Sequence, residues 1–267
     1  MATGTATDPG RAPAPAALFD AAFGACPGLH PLPPATTAES RWWRAVALGG
    51  QGRYAAAEVE LATVLRDAAG ASGTSLTSLA ASTQGSHLRQ AGQHAAARPW
   101  DARALLATTA PPARTDALVG LAADALGTGQ TEVAHRLLAR AQPGLAAAGW
   151  RGTMRWHWVA AEIALCEGAR SGAHAHAEQG VRLAVQCASV RHQVKSQLLL
   201  AAALGGEDGA TLAGELLEQA QEHGLLPLHW AAAMLLTALK PGSPAVATRL
   251  QSTTEALSRR GFRQRLR

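Results

Sequence analysis

The amino-acid sequence predicts an all-α protein built from stacked helical hairpins, and three observations support this prediction. Although 48% of the 267 residues are hydrophobic, only 4% are aromatic, and much of the apolar content is alanine. Alanine has the highest intrinsic helix propensity, whereas β-branched and aromatic residues favour strands. Apolar residues recur with a helical period from about residue 36 onward. Finally, Gly52, Gly92, Gly129 and Gly168 recur at spacings of 40, 37 and 39 residues.

The first 35 residues differ in composition from the rest of the chain. They are rich in Ala, Thr, Gly and Pro and end in Pro31-Leu32-Pro33-Pro34, a run that opposes helix because proline lacks a backbone donor. We therefore expect a disordered tail over residues 1–35. One segment is an exception, because Leu18, Phe19 and Phe23 would give a short helix over Ala16–Phe23 an apolar face. Such a helix docks either on the body of its own protein, which we favour, or on a partner.

The predicted repeat domain, residues 36–260, opens with a helix-capping signal. Thr36 and Glu39 match the capping box, in which each side chain accepts a hydrogen bond from the other residue's free backbone N–H. Beyond this box, clusters of glycine or proline interrupt the helical period, and each interruption predicts a turn between helices. The interruptions are Gly70–Gly73, Pro111–Pro112, Pro143–Gly144, Gly205–Gly206, Gly224–Pro227 and Pro241–Pro244.

The segments between these breaks repeat one arrangement of small residues. Each copy has a small residue in its first helix, a glycine seven residues later and an alanine five residues after the glycine. The small residue lets a second helix cross closely, the glycine ends the first helix in a left-handed cap, and the alanine packs the second helix back on the first. Stacked hairpins of this kind bury a continuous apolar face. The copies contain Ala45, Gly52 and Ala57; Gly85, Gly92 and Ala97; Ala122, Gly129 and Ala134; Ala161, Gly168 and Ala173; a fifth retains Ala201 and Ala213.

This pattern resembles the tetratricopeptide repeat, and Gly52-Arg53-Tyr54 in the first copy matches the family's turn best. The resemblance covers about residues 38–222, with a degenerate sixth hairpin to about residue 260. It implies a right-handed α-solenoid of five to six hairpins. The period is longer than the usual one and nearer to variants attached to large bacterial regulators. Two departures fall in the second hairpin: Asp101 replaces a large apolar residue, and Pro99 predicts a kinked or late-starting helix.

The resemblance also implies a concave groove lined by the first helix of each hairpin. Tryptophan and arginine often dominate binding energy, and cations beside an aromatic platform suit a carboxylate or an acidic segment. The densest feature is the stripe Trp150-x-x-x-Met154-x-x-x-Trp158, whose alternative role is to fill gaps between alanine-lined helices. Of the pair Trp42-Trp43, one is expected in the core and the other can face the groove. The candidate partner-binding residues are Trp42, Arg89, Arg155, Trp158, Glu162 and Lys195.

No motif in the sequence predicts catalysis, a cofactor or a metal. His174 and His176 point about 200° apart on a helix and therefore cannot share one metal ion there. The sequence has no nucleophile elbow, Walker loop or dinucleotide-binding fingerprint. The run Gly49-Gly50-Gln51-Gly52 lacks the Lys-Ser/Thr of a phosphate loop and is interpreted as a hairpin turn. We expect no catalytic residue, no cofactor and no metal ligand.

Charge and cysteine content limit the possible partners and the cellular location. The net charge is +5, but only 16% of residues are charged, so carboxylates are few rather than cations dense. A basic tail over residues 261–267 follows Arg259 and Arg260. These arginines either contact nucleic acid or an acidic protein surface or, as we favour, complement a helix C-terminus. Three cysteines without a close pair, no signal peptide and no long apolar run predict a cytoplasmic protein without a membrane span.

The sequence predicts a non-catalytic scaffold that binds a protein or peptide partner in the concave groove, where the cations suit an acidic partner. One alternative is a sensing domain related to those of bacterial transcription regulators. The other is weak nucleic-acid binding through the C-terminal arginines.

Overall fold

The computed structural model describes residues 13–67 and 75–263, and all the regular secondary structure in these ranges is helical. The predicted all-α class is confirmed. None of these helices is both long enough and apolar enough to cross a lipid bilayer. The α-helices are α1 Ala14–Phe23, α2 Ala38–Gly50, α3 Tyr54–Asp67, α4 Ser75–Gln90, α5 His94–Leu106, α6 Pro111–Gly127, α7 Thr131–Ala141, α8 Leu145–Cys166, α9 Arg170–Gln186, α10 Val190–Leu204, α11 Gly206–Glu222, α12 Leu226–Leu239 and α13 Pro244–Arg259.

From α2 onward the helices pack in consecutive pairs. The pairs are α2 with α3, α4 with α5, α6 with α7, α8 with α9, α10 with α11 and α12 with α13. The first helix of each pair also contacts the first helix of the next pair, and α12 contacts α2. Two hydrogen bonds also join the first pair to the residue that follows α13. Ala55 N–H donates to the carbonyl of Arg260 (3.0 Å), and the Arg260 guanidinium donates to the carbonyl of Gln51 (2.9 Å).

The predicted turn glycines end helices as expected. Gly52, Gly92, Gly129 and Gly168 have φ values of 74°, 71°, 78° and 73°, in the left-handed region. At the first turn the N–H of Arg53 donates to the carbonyl of Leu48 (2.8 Å) and that of Gly52 to Gly49 (3.0 Å). Both bonds of a Schellman motif are therefore present. Ala188 occupies the equivalent place after α9 with φ 50°, a position that no sequence signal marks.

The predicted crossing alanines lie in the core. Ala57, Ala97, Ala134, Ala173 and Ala213 are each fully buried. The predicted breaks in the described ranges also coincide with helix ends; the proposed break at Gly70–Gly73 lies outside those ranges. α5 begins at His94 and runs through Pro99, so it does not start late as Pro99 had suggested. α8 is interrupted at Gly149, a break that was not predicted, because the backbone there leaves the helical region.

Helix α1 corrects the expectation of a disordered tail through residue 35. The part of this segment within the described ranges, residues 13–35, contains α1, and Leu18 and Phe23 are 0% and 6% exposed in the core formed with α2 and α3. α1 also contacts α10, and the N–H of Val190 donates to the carbonyl of Gly24 (3.1 Å). The favoured expectation of docking on its own protein is thus confirmed. Residues 1–12 of the expected tail lie outside the described residues.

The capping box at the start of α2 is displaced by one residue from the prediction. Thr37, rather than Thr36, is the N-cap, and its hydroxyl accepts from the N–H of Ser40 (3.1 Å). The Ser40 hydroxyl accepts in return from the N–H of Thr37 (2.9 Å), so Glu39 is not the partner. The shift follows from chemistry, because a serine hydroxyl at the third helical position closes the box as a glutamate would.

The C-terminal segment is anchored at Phe262, which corrects the expectation of a tail from residue 261. Phe262 is 4% exposed and packs on the rings of Tyr54 and Trp230, with centroids 5.6 and 5.5 Å away. Arg265 and Arg267 of the predicted basic tail lie beyond the described residues.

Candidate functional site

A cavity of about 460 Å³ lies among the first helices of all the pairs. Its wall includes residues of α2, α4, α6, α8, α10 and α12, with Phe23 of α1 and Phe262 closing parts of it. Each first helix contributes because it contacts the first helices on either side of it. The chemistry of the cavity is therefore set by the inward faces of six helices that are distant in sequence.

Five of the six predicted partner-binding residues line this cavity. They are Arg89, Arg155, Trp158, Glu162 and Lys195. The sixth, Trp42, does not line it: it is 7% exposed and packs behind Phe23, with ring centroids 5.5 Å apart. Its indole N–H donates to the Thr83 hydroxyl (2.9 Å). Trp42 therefore belongs to the core; its neighbour Trp43 is half-buried against Phe19 and does not reach the cavity either.

Arg89 connects the cavity wall to a buried acidic pair. Its guanidinium is paired with Asp101 and, at 3.0 Å, with Asp124, and both carboxylate side chains are 0% exposed. Burial raises the pKa of Asp124 to about 7, against the opposing effect of Arg89. The unexpected Asp101 of the repeat pattern is thus an internal counter-ion. A methyl group added at Gly85 or Gly120 would collide with its carboxylate, so these glycines make room for it.

A second ionic cluster joins α6 to α8. Asp116 is paired with Arg155 and, at 3.0 Å, with Arg151. Burial opposes ionisation here, but the two guanidinium groups hold the pKa of Asp116 below its usual value. One carboxylate thus neutralises two arginines only in part. Arg151 also lies 5.8 Å from the ring centroids of Phe23 and Trp42, which places a cation over the aromatic cluster beneath α1.

Trp158 and His192 form an aromatic wall beside these charges. Their rings stack with centroids 5.6 Å apart and an interplanar angle of 19°, and the indole N–H of Trp158 donates to the Ser196 hydroxyl (2.8 Å). Lys195 Nζ lies 5.9 Å from the Trp158 ring centroid and 3.1 Å from a Glu162 carboxylate oxygen. Burial and the neighbouring arginines lower the pKa of His192 well below its usual value, so the imidazole is neutral.

Arg191 is the functional candidate that sequence reasoning did not identify. It lines the cavity from the first turn of α10, and its guanidinium donates to the carbonyl of Ala22 (3.3 Å). No carboxylate in the described residues pairs with it, and its Nε is buried without an acceptor there. One signal was available: Arg191 precedes Lys195 by four residues, a spacing that places both on one helical face.

Trp150 of the predicted stripe, the nearby Trp156 and the histidines around them have packing roles. Trp156 packs against the core around α6 and α7 and donates to the carbonyl of Leu138 (3.0 Å). Trp150 contacts His192 edge to face, with centroids 5.1 Å apart. His176 meets His157 rather than His174, with 3.0 Å between the two Nδ1 atoms. Within the ranges that the structure describes, no three His, Cys, Asp or Glu residues are grouped so as to hold a metal ion.

Comparison of the chain with protein-family models, curated proteins and solved structures finds no significant match.

Proposed function

We propose that this chain is a non-catalytic binding module: a right-handed, tetratricopeptide-like solenoid whose interior cavity takes up a small organic ligand. The observation that carries the proposal is the cavity of about 460 Å³, which the first helices of all six pairs line together. Small-molecule sites typically enclose about 300–1,000 Å³ and combine apolar walls with a few convergent polar groups. The aromatic wall and the cations described above match this description.

The local geometry of the turns supports the repeat assignment. Four glycines at near-constant spacing end helices with positive φ, and the alanine five residues beyond each of them is fully buried. This is the arrangement in which one helix returns closely along its predecessor and each pair covers the apolar face of the next.

The contact between α12 and α2 favours ligand sensing over the binding of a protein along an open groove. With the first and last pairs in contact, an occupant of the cavity has first helices around it rather than on one side. Glu162 and Lys195 are each about one-third exposed, so a protein or peptide could still reach them from outside the cavity. Binding of such a partner at the outer part of the site stays a prediction. Arg260 supports the chain-end contact through Gln51, which offers a structural role for one arginine of the C-terminal set.

A ligand in this cavity would touch several helix pairs at once. Because neighbouring pairs contact one another through their first helices, such a ligand would fix the relative positions of pairs that are far apart in sequence. A sensing domain needs this property, since a ligand shifts a conformational equilibrium only through different contacts in the two states. We therefore place the sensing step at the cavity and any partner surface outside it.

A thermal-shift screen tests the proposal. Wild-type protein is screened against small organic acids, amides and bases, and stabilising compounds are retested with Ala202→Trp, which puts an indole into the cavity wall. The matched control is Ala175→Trp, at an exposed site on α9. A compound that binds only the folded state raises the melting temperature. We expect at least one shift that Ala202→Trp loses and Ala175→Trp keeps. If no compound stabilises the protein, or if both variants keep every shift, the cavity is not the ligand site.

A further inference from the structure

The cavity contains more positive charge than its carboxylates balance. Among the described residues, the charged side chains that act on the Arg191 guanidinium are Arg151 and Arg155, both of which repel it. These two arginines share the single carboxylate of Asp116. Lys195 is already paired with Glu162, and Arg89 with Asp101 and Asp124. Of these three arginines, Arg151 and Arg155 pair with one carboxylate between them, and Arg191 pairs with none among the described residues.

The structure keeps Arg191 in place although it has no counter-ion among the described residues. Gly50 of α2 makes room for it, because a Cβ there would lie 2.9 Å from Cδ of Arg191. The neighbouring imidazoles are neutral and provide no counter-charge, since burial lowers the pKa of His87 to about 3 and that of His192 well below its usual value. Burial and then the two neighbouring arginines lower the pKa of Arg191 to about 10. The group is thus a cation at neutral pH.

A charged group taken out of water is costly unless it is paired, and a guanidinium presents its donors in a fork that fits two oxygens at once. We infer that Arg191 anchors an oxyanion in this cavity, and that the ligand is an organic acid with an apolar body. This inference rests on the proposed function and specifies the chemistry of its ligand.

Aromatic side chains close to Arg191 would contact the apolar part of the ligand. His192 follows Arg191 in the chain and stacks on Trp158, while Phe23 lines the cavity next to the Ala22 carbonyl that Arg191 now contacts. An acid group at Arg191 would therefore place a ring or alkyl chain against aromatic side chains. Carboxylates and phosphate monoesters share the oxyanion chemistry, and the test separates these two sources.

Three naphthalene compounds with one ring system and different head groups provide the test by isothermal titration calorimetry on the full chain. They are 1-naphthaleneacetate, 1-naphthyl phosphate and the neutral 1-naphthaleneacetamide. We expect at least one anion to bind the wild-type protein about tenfold or more tighter than the amide, because charge-assisted hydrogen bonds are stronger than neutral ones. Tighter binding of the phosphate would identify a phosphorylated ligand, and tighter binding of the acetate a carboxylic acid; either result supports the oxyanion anchor.

Two variants assign the preference to Arg191. Arg191→Gln should bind the anions and the amide alike, whereas Arg182→Gln, at an arginine whose side chain is 54% exposed, should behave as wild type. Circular dichroism checks that both are folded. If Arg191→Gln does not fold, Arg191→Lys replaces it and should weaken anion binding while leaving the amide unchanged, since it keeps the charge but not the fork.

The inference is overturned if wild-type protein binds the amide as tightly as both anions, if it binds none of the three, or if Arg191→Gln keeps the preference for the anions. None of these results decides whether the cavity binds a ligand at all, which the Ala202→Trp thermal-shift screen tests separately. A compound whose stabilisation is lost in Ala202→Trp, without any preference for anions, would retain the proposed function and remove only the oxyanion anchor.

Discussion

Arg89 shows how a single buried cation holds two helix pairs together. It lies on α4, at the cavity wall, and its two carboxylate partners come from α5 and α6. Removing one member of a buried ionic group leaves the others without compensation, which typically costs about 3–5 kcal/mol. Arg89 is therefore a structural residue first, and its predicted contact with a partner can use only the donor atoms that the carboxylates leave over.

We expect Arg89→Met to lower the free energy of unfolding by about 3–5 kcal/mol, measured by urea denaturation at pH 7. The double variant Arg89→Met, Asp101→Asn should recover part of the loss, because it removes one of the stranded charges. A loss below about 1 kcal/mol in the single variant would mean that the acidic pair is already neutral and does not need the arginine.

The sequence marked some of these residues but not their partners. Asp101 was visible as a departure from the repeat, and Arg89, Arg155 and Lys195 were visible as cations on first helices. The contact between Asp101 and Arg89, in the space left by Gly85 and Gly120, depends on how α4, α5 and α6 pack side by side. The sequence does not show that packing. A repeat pattern gives the order of helices, whereas an ion pair requires two charged groups from different helices to come within about 3 Å of each other.

At the scale of helices, local chemistry explains why turns were predictable. A glycine in the left-handed region and an alanine at a helix crossing are requirements of the backbone, and they recur wherever the same crossing recurs. The position of α1 required more, because its contacts with α2 and α10 join residues far apart in the chain. Composition suggested a disordered tail there, yet Leu18, Phe19 and Phe23 were enough to indicate a docked helix.

Docking of α1 makes the N-terminal segment a determinant of stability. Leu18→Ala should destabilise the protein by about 2–5 kcal/mol, since Leu18 is fully buried and its removal leaves a cavity. Phe19→Ala is the matched neighbour: Phe19 is 48% exposed, so its loss should cost clearly less. Urea unfolding measures both. Equal, small effects would show that α1 does not contribute to the core in solution.

At the scale of the whole molecule, burial of histidines couples stability to pH. Burial lowers the pKa of His87 to about 3 and that of His157 to about 4, and it also lowers the pKa values of His176, His192 and His229. In the unfolded chain these side chains titrate near pH 6.5, as histidine ordinarily does. Below that pH the unfolded state binds protons that the folded state does not, so stability falls as the pH falls.

The acidic pair at Arg89 acts in the opposite direction. Because burial raises the pKa of Asp124 to about 7, the folded state keeps a proton that the unfolded chain releases above about pH 4. Its contribution to stability is present at low pH and is lost as the pH rises through 7. Asp101, whose pKa burial also raises, shares this behaviour. Five histidines nevertheless outnumber the two aspartates, so the net effect of acid is destabilising.

We expect the free energy of unfolding to fall by about 2 kcal/mol or more between pH 7 and pH 5, since each proton of net uptake contributes about 1.4 kcal/mol per pH unit. Urea denaturation across this range measures the slope. Asp124→Asn provides the internal check: it removes the opposing titration, so its stability should fall more steeply with acid than that of the wild-type protein. Stability that stays level or rises toward pH 5 in the wild type would show that the acidic pair, rather than the buried histidines, governs the response.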